Sequence, residues 1–246
     1  MQWVYLSPHP DDAVMSCGGI IHQQVQHGEN VAVWTLFDGD PPYGELTPFA
    51  ASLHHRWGVD AATAMTARRN EDHNAATRLG VDLHHFKLPD CIYRRLPDGE
   101  PLVNCEEDLW QTPHSGETQF AAHLSARMAA ALPEDAHLVC PLGIGTHLDH
   151  TLTRAAAELL GRRLFFYADF PYVGREGALS DVWIEPHWQP RRFTLSPADL
   201  LAWGDAISAH ASQISTFWKN EDEMRTALGE FHAQGGGDCL WESSSL

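Results

Sequence analysis

The chain alternates short apolar runs with amphipathic stretches along most of its 246 residues. The apolar runs predict strands at 2–6, 30–37, 81–88, 136–141 and 163–168. The amphipathic stretches predict helices at about 13–27, 59–79, 117–132 and from Asp149 or Thr151 to Leu160, and Ser196-Pro197 predicts the start of another. Such alternation is typical of βαβ units. The sequence therefore predicts one α/β domain over 1–246, Rossmann-like, with a mostly parallel sheet and helices on both faces.

Three segments are predicted to lack regular structure. Proline and glycine interrupt 38–55 and 89–116, and 235–246 begins with three glycines, ends in serines and is expected to fray. Long loops within compact domains are often functional. The first two segments are therefore expected to form the rim of a binding site.

The formal net charge of −17 argues against nucleic acids and anionic membrane surfaces as partners, since both require a basic face. No stretch has the roughly 20 apolar residues of a membrane span, and the amino terminus lacks a signal-peptide pattern, so a cytoplasmic protein with a small-molecule or glycoconjugate partner is expected. The five cysteines are odd in number and scattered. They indicate neither a disulfide framework nor a thiolate zinc site.

A first polar cluster, Ser7-Pro8-His9-Pro10-Asp11-Asp12, lies between the first predicted strand and the first predicted helix. It is therefore placed at the carboxyl edge of the sheet, where open α/β folds bind ligands. One imidazole and one carboxylate of this cluster are suited to ligate zinc. The second carboxylate is then free to act as a base.

A second polar cluster, His147-Leu148-Asp149-His150, follows the fourth predicted strand and opens a helix. It is expected at the same edge of the sheet. If the two strands are neighbours, His9, Asp12 and His150 converge on one ion. Two imidazoles, one carboxylate and an open position for water form a known arrangement for catalytic zinc.

Each cluster also has a structural interpretation. The first can be a Pro-Asp turn in which Asp12 caps the helix. The second can be a polar helix start, with Asp149 favoured by the helix dipole. Because the two clusters occupy matching positions about 140 residues apart, the pair favours a metal site.

With these two clusters the chain resembles the PIG-L/LmbE-like family of zinc-dependent N-deacetylases. That family carries His-Pro-Asp-Asp after its first strand and His-x-x-His near the middle. The likeness covers about residues 2–218 and includes Arg68-Arg69-Asn70-Glu71, Leu79-Gly80-Val81, Leu88-Pro89-Asp90, 167–172 and Ser212-Gln213. Family members remove the acetyl group from N-acetylglucosamine units of sugar conjugates. The resemblance implies the same reaction here.

The resemblance also implies roles for the first cluster and for His150. His9, Asp12 and His150 correspond to the zinc ligands of the family, and Asp11 corresponds to the general base. Iron(II) or cobalt also suits a nitrogen and oxygen site of this kind, so the native metal stays open.

Other matching residues would act on the substrate. His147 corresponds to the histidine that stabilises the oxyanion, and either His147 or Asp11 would protonate the leaving amine; Asp149 would orient or tune His147. Arg68 and Asp90 match positions that hold sugar hydroxyls. For Arg68, a helical salt bridge to Glu71 is an equally good explanation.

The sequence departs from the family pattern at two positions. Ala13 stands where many members have glutamate, which removes a partner of the metal site. Gly145 stands where some members have a tyrosine that assists the oxyanion. Four aromatic residues in or beside the predicted rim are suited either to sugar stacking or to core packing: Trp57, Tyr93, Trp110 and Tyr172.

Two other functions fit the same residues. The chain can be an amidase for another acyl-amide conjugate, or a catalytically silent, metal-dependent sugar-binding protein. A nucleotide site is disfavoured because no GxGxxG follows the first strand. The sequence leaves open whether the protein is a homo-oligomer.

Overall fold

The structure, a computed structural model, describes residues 2–42, 44–111, 117–176 and 184–243. Its strands are β1 (Gln2–Ser7), β2 (Asn30–Thr35), β3 (Asp82–His85), β4 (His137–Pro141), β5 (Leu164–Tyr167), β6 (Gln189–Arg192) and β7 (Cys239–Glu242). Its α-helices are α1 (Asp12–Gln26), α2 (Pro48–Arg56), α3 (Ala64–Leu79), α4 (Thr118–Ala131), α5 (Leu148–Glu158), α6 (Tyr172–Glu176), α7 (Pro197–Ile207), α8 (Ala211–Phe217) and α9 (Glu221–Ala233). None of the helices in these ranges has the length and apolar content needed to cross a membrane.

The strands form one sheet in the order β3-β2-β1-β4-β5-β7-β6. The first five in this order are parallel, and β7 pairs antiparallel with both β5 and β6. The chain moves from β1 towards β3 and later from β4 towards β5, so right-handed crossovers place α1 and α3 on one face and α4 and α5 on the other. Accordingly, α1, α3 and α7 pack together, and α4 packs against α5. The predicted Rossmann-like α/β fold with a mostly parallel sheet is confirmed.

The reversal of strand order lies between β1 and β4. Both strands are buried along nearly their whole length, as expected for parallel strands covered by helices on both faces. Their carboxyl ends lie side by side, and the two polar clusters follow directly from them. The two clusters are therefore neighbours at the topological switch point, where folds of this kind bind ligands.

Trp203 of α7 joins that helix to α1. Its indole is fully buried, and its Nε1–H donates to the carbonyl oxygens of Val14 and Met15 at 2.8 and 3.1 Å. The ring lies against Gly18, where an added Cβ would come within 2.3 Å of Trp203 Cδ1. The glycine inside α1 thus permits a close contact between the two helices.

The expectation that 38–55 is a loop is wrong for its second half, because α2 begins at Pro48. Proline is accommodated in the first turn of a helix, and Thr47 Oγ1 caps this turn by accepting the Ala50 N–H at 3.1 Å. The predicted loop 89–116 contains short 3-10 helices at Cys91–Tyr93 and Glu106–Trp110. Its residues 112–116 lie outside the described ranges.

The expectation that 235–246 frays is also wrong for most of the segment. The glycines allow a close turn, since a Cβ at Gly236 would collide with Phe231 and one at Gly237 with Trp203. The chain then adds β7 to the sheet. Strand β6 was not predicted, because its sequence, Gln-Pro-Arg-Arg, is polar and exposed. Residues 244–246 lie outside the described ranges.

Substitution of Gly18 by alanine should destabilise the protein. The new methyl group would overlap the Trp203 ring, and overpacking of this kind costs about 1–3 kcal/mol of unfolding free energy. Gly229→Ala is the matched control, because Gly229 lies inside α9 with no atom within 4 Å of an added Cβ. That variant should gain roughly 0.5–1 kcal/mol. Urea unfolding measures both, and equal effects of the two substitutions would contradict the packing described here.

Candidate metal centre

The first polar cluster forms a tight turn between β1 and α1. Ser7 Oγ donates to the His9 carbonyl oxygen at 2.6 Å and accepts the Ala13 N–H at 3.0 Å. The Asp12 carboxylate turns back to accept the His9 N–H at 2.7 Å. Asp11 holds the N-cap position and makes no side-chain capping bond. Asp12 is the first residue of α1 and bonds back to His9, so the alternative in which Asp12 caps the helix is wrong.

Asp11 combines backbone strain with burial. Its φ of 148° lies in a region that residues with a Cβ rarely adopt, at a cost of about 1–3 kcal/mol. Burial raises the pKa of its carboxyl to about 8, and the Arg68 guanidinium, whose NH2 lies 3.4 Å from Asp11 Oδ2, opposes that rise. Strain and burial at one carboxylate are typical of a functional group.

His147 occupies the N-cap position of α5. Its Nδ1 accepts the Asp149 N–H at 3.2 Å, so the proton of the neutral ring lies on Nε2. Burial lowers the pKa of His147 well below its ordinary value, and His9 and His150 lower it further. The ring is thus a neutral Nε2–H donor. His147 is therefore both the polar residue that caps α5 and the candidate catalytic group.

His150 presents a buried nitrogen to Asp12. Its Nδ1 lies 2.6 Å from Asp169 Oδ1 and donates to it, because a carboxylate only accepts. Its Nε2 lies 3.3 Å from Asp12 Oδ2 and has no hydrogen-bond partner among the described residues. Burial opposes a charge on the ring, but Asp12 and Asp169 overcome this and raise the pKa of His150 to about 9. The site between His150 Nε2 and Asp12 Oδ2 therefore favours a cation, either a proton or a metal ion.

His9 completes a set of three donor atoms. Its Nε2 donates to Asp149 Oδ2 at 3.1 Å, which directs Nδ1 towards Asp12 Oδ2, also at 3.1 Å. Ligands of a tetrahedral zinc ion with bonds of about 2.0–2.1 Å lie about 3.3 Å apart. The separations of Asp12 Oδ2 from the two imidazole nitrogens are 3.1 and 3.3 Å. The residues present thus fit a divalent metal ion held by His9, Asp12 and His150.

Overlapping donor sets occur at the same place. Ligand atoms of His9, His147 and His150 lie within 4.8 Å of one another, as do those of Cys91, His147 and Asp149 and those of His9, Asp90 and Asp149. The hydrogen bonds favour Asp12 as the third ligand. His147 carries its proton on the nitrogen that would bind the ion. Asp149 already forms an ion pair with Arg94, with Oδ1 2.6 Å from NH1, and accepts the Cys91 N–H at 2.9 Å.

Asp149 was predicted to orient or tune His147, but its carboxylate contacts His9, Cys91 and Arg94. Its links to His147 are the backbone N–H that bonds the ring and a charge that favours the imidazolium. The structure thus adds a second task for Asp149, which is to fix the tautomer and the ring plane of His9.

Two charged residues at the centre were missed by sequence reasoning. Asp169 holds His150 through Oδ1, while its Oδ2 accepts the N–H groups of Gly143 and Ile144. Arg94 balances the buried charge of Asp149. For Asp169 a signal existed, since it follows β5 at the same edge of the sheet. For Arg94, within the irregular 89–116 segment, there was none.

Arg68 and Asp90 both reach the centre. Arg68 is 4% exposed, and its guanidinium lies 4.9 Å from the Trp57 ring centroid. The alternative of a helical salt bridge between Arg68 and Glu71 is wrong, because Arg68 pairs with Asp11 and the Glu71 carboxylate binds Ser212. Asp90 Oδ2 lies 3.6 Å from His9 Nε2. Contact of Arg68 and Asp90 with sugar hydroxyls stays a prediction.

A cleft of about 700 Å³, a volume that includes open solvent, is lined by polar groups of the centre: His9, Asp11, Asp12, Arg68, Asp90 and His147. Of the predicted aromatic rim, Trp57, Trp110 and Tyr172 line it, whereas Tyr93 is buried against His54. A Cβ on Gly145 would lie 3.3 Å from the Cβ of Tyr172. The space beside Gly145 is thus taken by Tyr172, whose ring centroid lies 5.3 Å from that of His150.

The profile of the PIG-L family, described as GlcNAc-PI de-N-acetylase, matches residues 4–160 and so contains both polar clusters. The chain belongs to the PIG-L family. This membership confirms the resemblance drawn from the sequence.

PIG-L relatives with known activities cover most of the chain. A 2'-N-acetylparomamine deacetylase from Niallia circulans is 30% identical over 198 residues, which are 74% of this chain and 71% of the relative. The zinc-inhibited form of the teicoplanin deacetylase Orf2 is 26% identical, with a TM-score of 0.83 over 98% of this chain and 97% of its own. The A40926 pseudoaglycone deacetylase Dbv21 is 26% identical, with a TM-score of 0.73 over 99% and 97%.

Removal of the His150 imidazole should abolish stoichiometric zinc binding, because a carboxylate and one imidazole alone remain. Asp169→Asn should retain the site with an affinity lowered about 10–100-fold, since it weakens the group that orients His150. His55→Ala, at an exposed position of α2, is the control. Competition titration against a chelating dye measures all three. Full zinc occupancy in His150→Ala would overturn the ligand assignment.

Proposed function

We propose that this PIG-L protein is a zinc-dependent deacetylase that removes the N-acetyl group from an N-acetylglucosamine-type unit of a glycoconjugate. The observation that carries the proposal is the position of Asp12 Oδ2 between two imidazole nitrogens, at 3.1 and 3.3 Å, with the strained Asp11 next to it. This arrangement supports a metal with a base at its open side. A binding protein has no need of the second carboxylate.

The relatives support the substrate class. They include deacetylases of 2'-N-acetylparomamine, and solved structures include a deacetylase–teicoplanin complex at 26% identity and a TM-score of 0.79. The reaction they share is the loss of an acetyl group. The cleft offers aromatic walls and charged groups, a combination suited to the apolar faces and the hydroxyls of a sugar.

In this proposal His9, Asp12 and His150 hold the zinc ion. A bound zinc ion would lower the pKa of a coordinated water and polarise the acetyl carbonyl. Asp11 accepts the water proton as the oxygen attacks the carbonyl carbon. Arg68, at 3.4 Å, keeps the Asp11 carboxylate in place and favours its charged form. The strained backbone of Asp11 directs this carboxylate into the cleft.

His147 acts on the other side of the substrate. Its Nε2–H donates to the oxygen that becomes negative as the amide carbon turns tetrahedral. Burial disfavours an imidazolium before the reaction. The ring therefore meets the acetyl carbonyl as a neutral hydrogen-bond donor. Departure of the amine requires a proton on nitrogen, which Asp11 can return after taking it from water.

Replacement of Asp11 by asparagine should leave zinc binding intact and lower kcat about 10²–10⁴-fold. Asparagine tolerates positive φ, so the turn is retained while the base is lost. Asp82→Asn, at an exposed position of β3, is the control. Amine release from N-acetylglucosamine glycosides and zinc analysis are measured on the same samples. Full turnover by Asp11→Asn would remove Asp11 from the mechanism.

His147→Ala should lower kcat by about 10²–10³-fold, as expected for loss of an oxyanion donor, with zinc retained. Retained zinc separates this role from that of a ligand. If His147→Ala lost its zinc together with its activity, His147 would be a ligand and the hydrogen-bond argument would be wrong.

The acyl group is tested with a series of N-acyl glucosamine glycosides from formyl to octanoyl. A deacetylase should prefer acetyl. A preference for longer chains would favour the amidase alternative, and metal binding with no amine release from any member would favour the silent binding protein.

A further inference from the structure

Glu71 and Ser212-Gln213, two of the family-like segments, have no part in the mechanism above, yet they contact each other. Glu71 lies on α3, and Ser212 lies in the first turn of α8. Glu71 Oε1 accepts the Ser212 N–H at 2.8 Å, and Oε2 accepts the Ser212 hydroxyl at 2.6 Å. Both oxygens of one carboxylate are thus bonded to the same serine.

This contact fixes the direction of the next hydrogen bond. A serine hydroxyl has one proton, and that of Ser212 is donated to the carboxylate, which only accepts. Ser212 Oγ lies 2.9 Å from Gln213 Nε2 and must accept from it. The side-chain amide of Gln213 therefore points its NH2 group to Ser212. The reverse orientation would place two acceptors against each other, so the hydrogen bonds assign the amide without ambiguity.

The fixed amide belongs to the cleft. Gln213 is 3% exposed, and it lines the cleft together with Thr216 and Phe217 of the same helix. Gln213 Oε1 accepts no hydrogen bond from the described residues. It is also not one of their solvent-inaccessible polar atoms that lack a partner, so it is open to the cleft. Its remaining surface is therefore available to a molecule in the cleft.

Thr216 adds a second polar group on the same side of α8, three residues after Gln213. Its Oγ1 is buried and has no hydrogen-bond partner among the described residues. Buried polar atoms at this depth are normally paired. The buried threonine hydroxyl marks this side of α8 as polar, while Gln213 Oε1 is an acceptor that a molecule in the cleft can reach.

We propose that Gln213, positioned by the Glu71–Ser212 pair, determines specificity by accepting a hydrogen bond from a hydroxyl of the sugar ring that carries the acetamide. This inference rests on the proposed function. It assigns the α8 side of the cleft to sugar recognition, separate from the metal centre. Arg68 and Glu71, one turn apart on α3, then serve the two sides of one cleft.

The test uses methyl N-acetylglucosaminide and its 3-, 4- and 6-deoxy analogues as probes. For the wild-type protein, one deoxy analogue should show a kcat/KM about tenfold lower than the parent sugar, the factor expected for one hydrogen bond. Gln213→Leu should lower kcat/KM for the parent by about the same factor, chiefly through KM. In that variant the deoxy analogue should no longer have a lower kcat/KM than the parent sugar. A penalty of the same size in Gln213→Leu would overturn the proposal.

Two further variants test whether the orientation of the Gln213 amide matters, and not only its presence. Gln213→Glu keeps an acceptor but cannot donate to Ser212, so it should behave like Gln213→Leu. Glu71→Gln leaves one acceptor oxygen for the two Ser212 donors and should raise KM in the same direction, with little further effect when combined with Gln213→Leu. Ser215→Ala, exposed on α8, is the control. Additive effects of the Glu71 and Gln213 substitutions would show that Glu71 acts only on stability.

A binding measurement keeps this inference separate from the proposed reaction. Calorimetric titration with methyl N-acetylglucosaminide uses zinc-loaded Asp11→Asn, with and without Gln213→Leu. The second substitution should weaken binding about tenfold. If wild-type protein bound the sugar without releasing amine, and Gln213→Leu weakened that binding, the deacetylase proposal would fail while the subsite stood. Equal binding with and without the Gln213→Leu substitution would contradict the subsite proposal alone. Absence of binding would contradict both the subsite and the deacetylase proposal.

Discussion

The structure depends on one close approach, in which Asp12 Oδ2 lies between His9 Nδ1 and His150 Nε2 at the carboxyl ends of β1 and β4. Three groups that each disfavour burial share one enclosed site, and this is stable only if a positive charge joins them. The reversal of strand order makes the approach feasible because it brings two distant segments to adjacent strand ends.

The surrounding residues set the protonation of each ring at that point. Asp169 and Asp149 each accept an imidazole N–H, which leaves the opposite nitrogens of His150 and His9 facing Asp12. The Asp149 N–H does the reverse for His147 and turns it into a donor. One short segment therefore supplies both a proposed metal ligand and a donor, distinguished by their hydrogen bonds rather than by their residue type. The strained turn at Asp11 adds the carboxylate that a hydrolase requires.

Much of this was predictable from the sequence. Buried parallel strands read as continuous apolar runs, so β1, β2, β4 and β5 were recognisable, and the two polar clusters were placed at the correct sheet edge. The edge strand β6 was not, because its polar, exposed residues give no apolar pattern. Neither was α2, whose Pro48 resembles a loop signal. Asp169 had a signal in its position just after β5, whereas Arg94 acts through contacts with residues distant in sequence, which no local pattern records. The pairing of Glu71 with Ser212 rather than Arg68 is of the same kind.

The central claim is the identity of the three donor atoms. Diffraction data collected at the zinc absorption edge from crystals of the zinc-loaded protein locate the ion directly. The account predicts one anomalous peak within bonding distance, about 2.0–2.2 Å, of His9 Nδ1, Asp12 Oδ2 and His150 Nε2. A peak bonded instead to His147 or to the sulfur of Cys91 would contradict it.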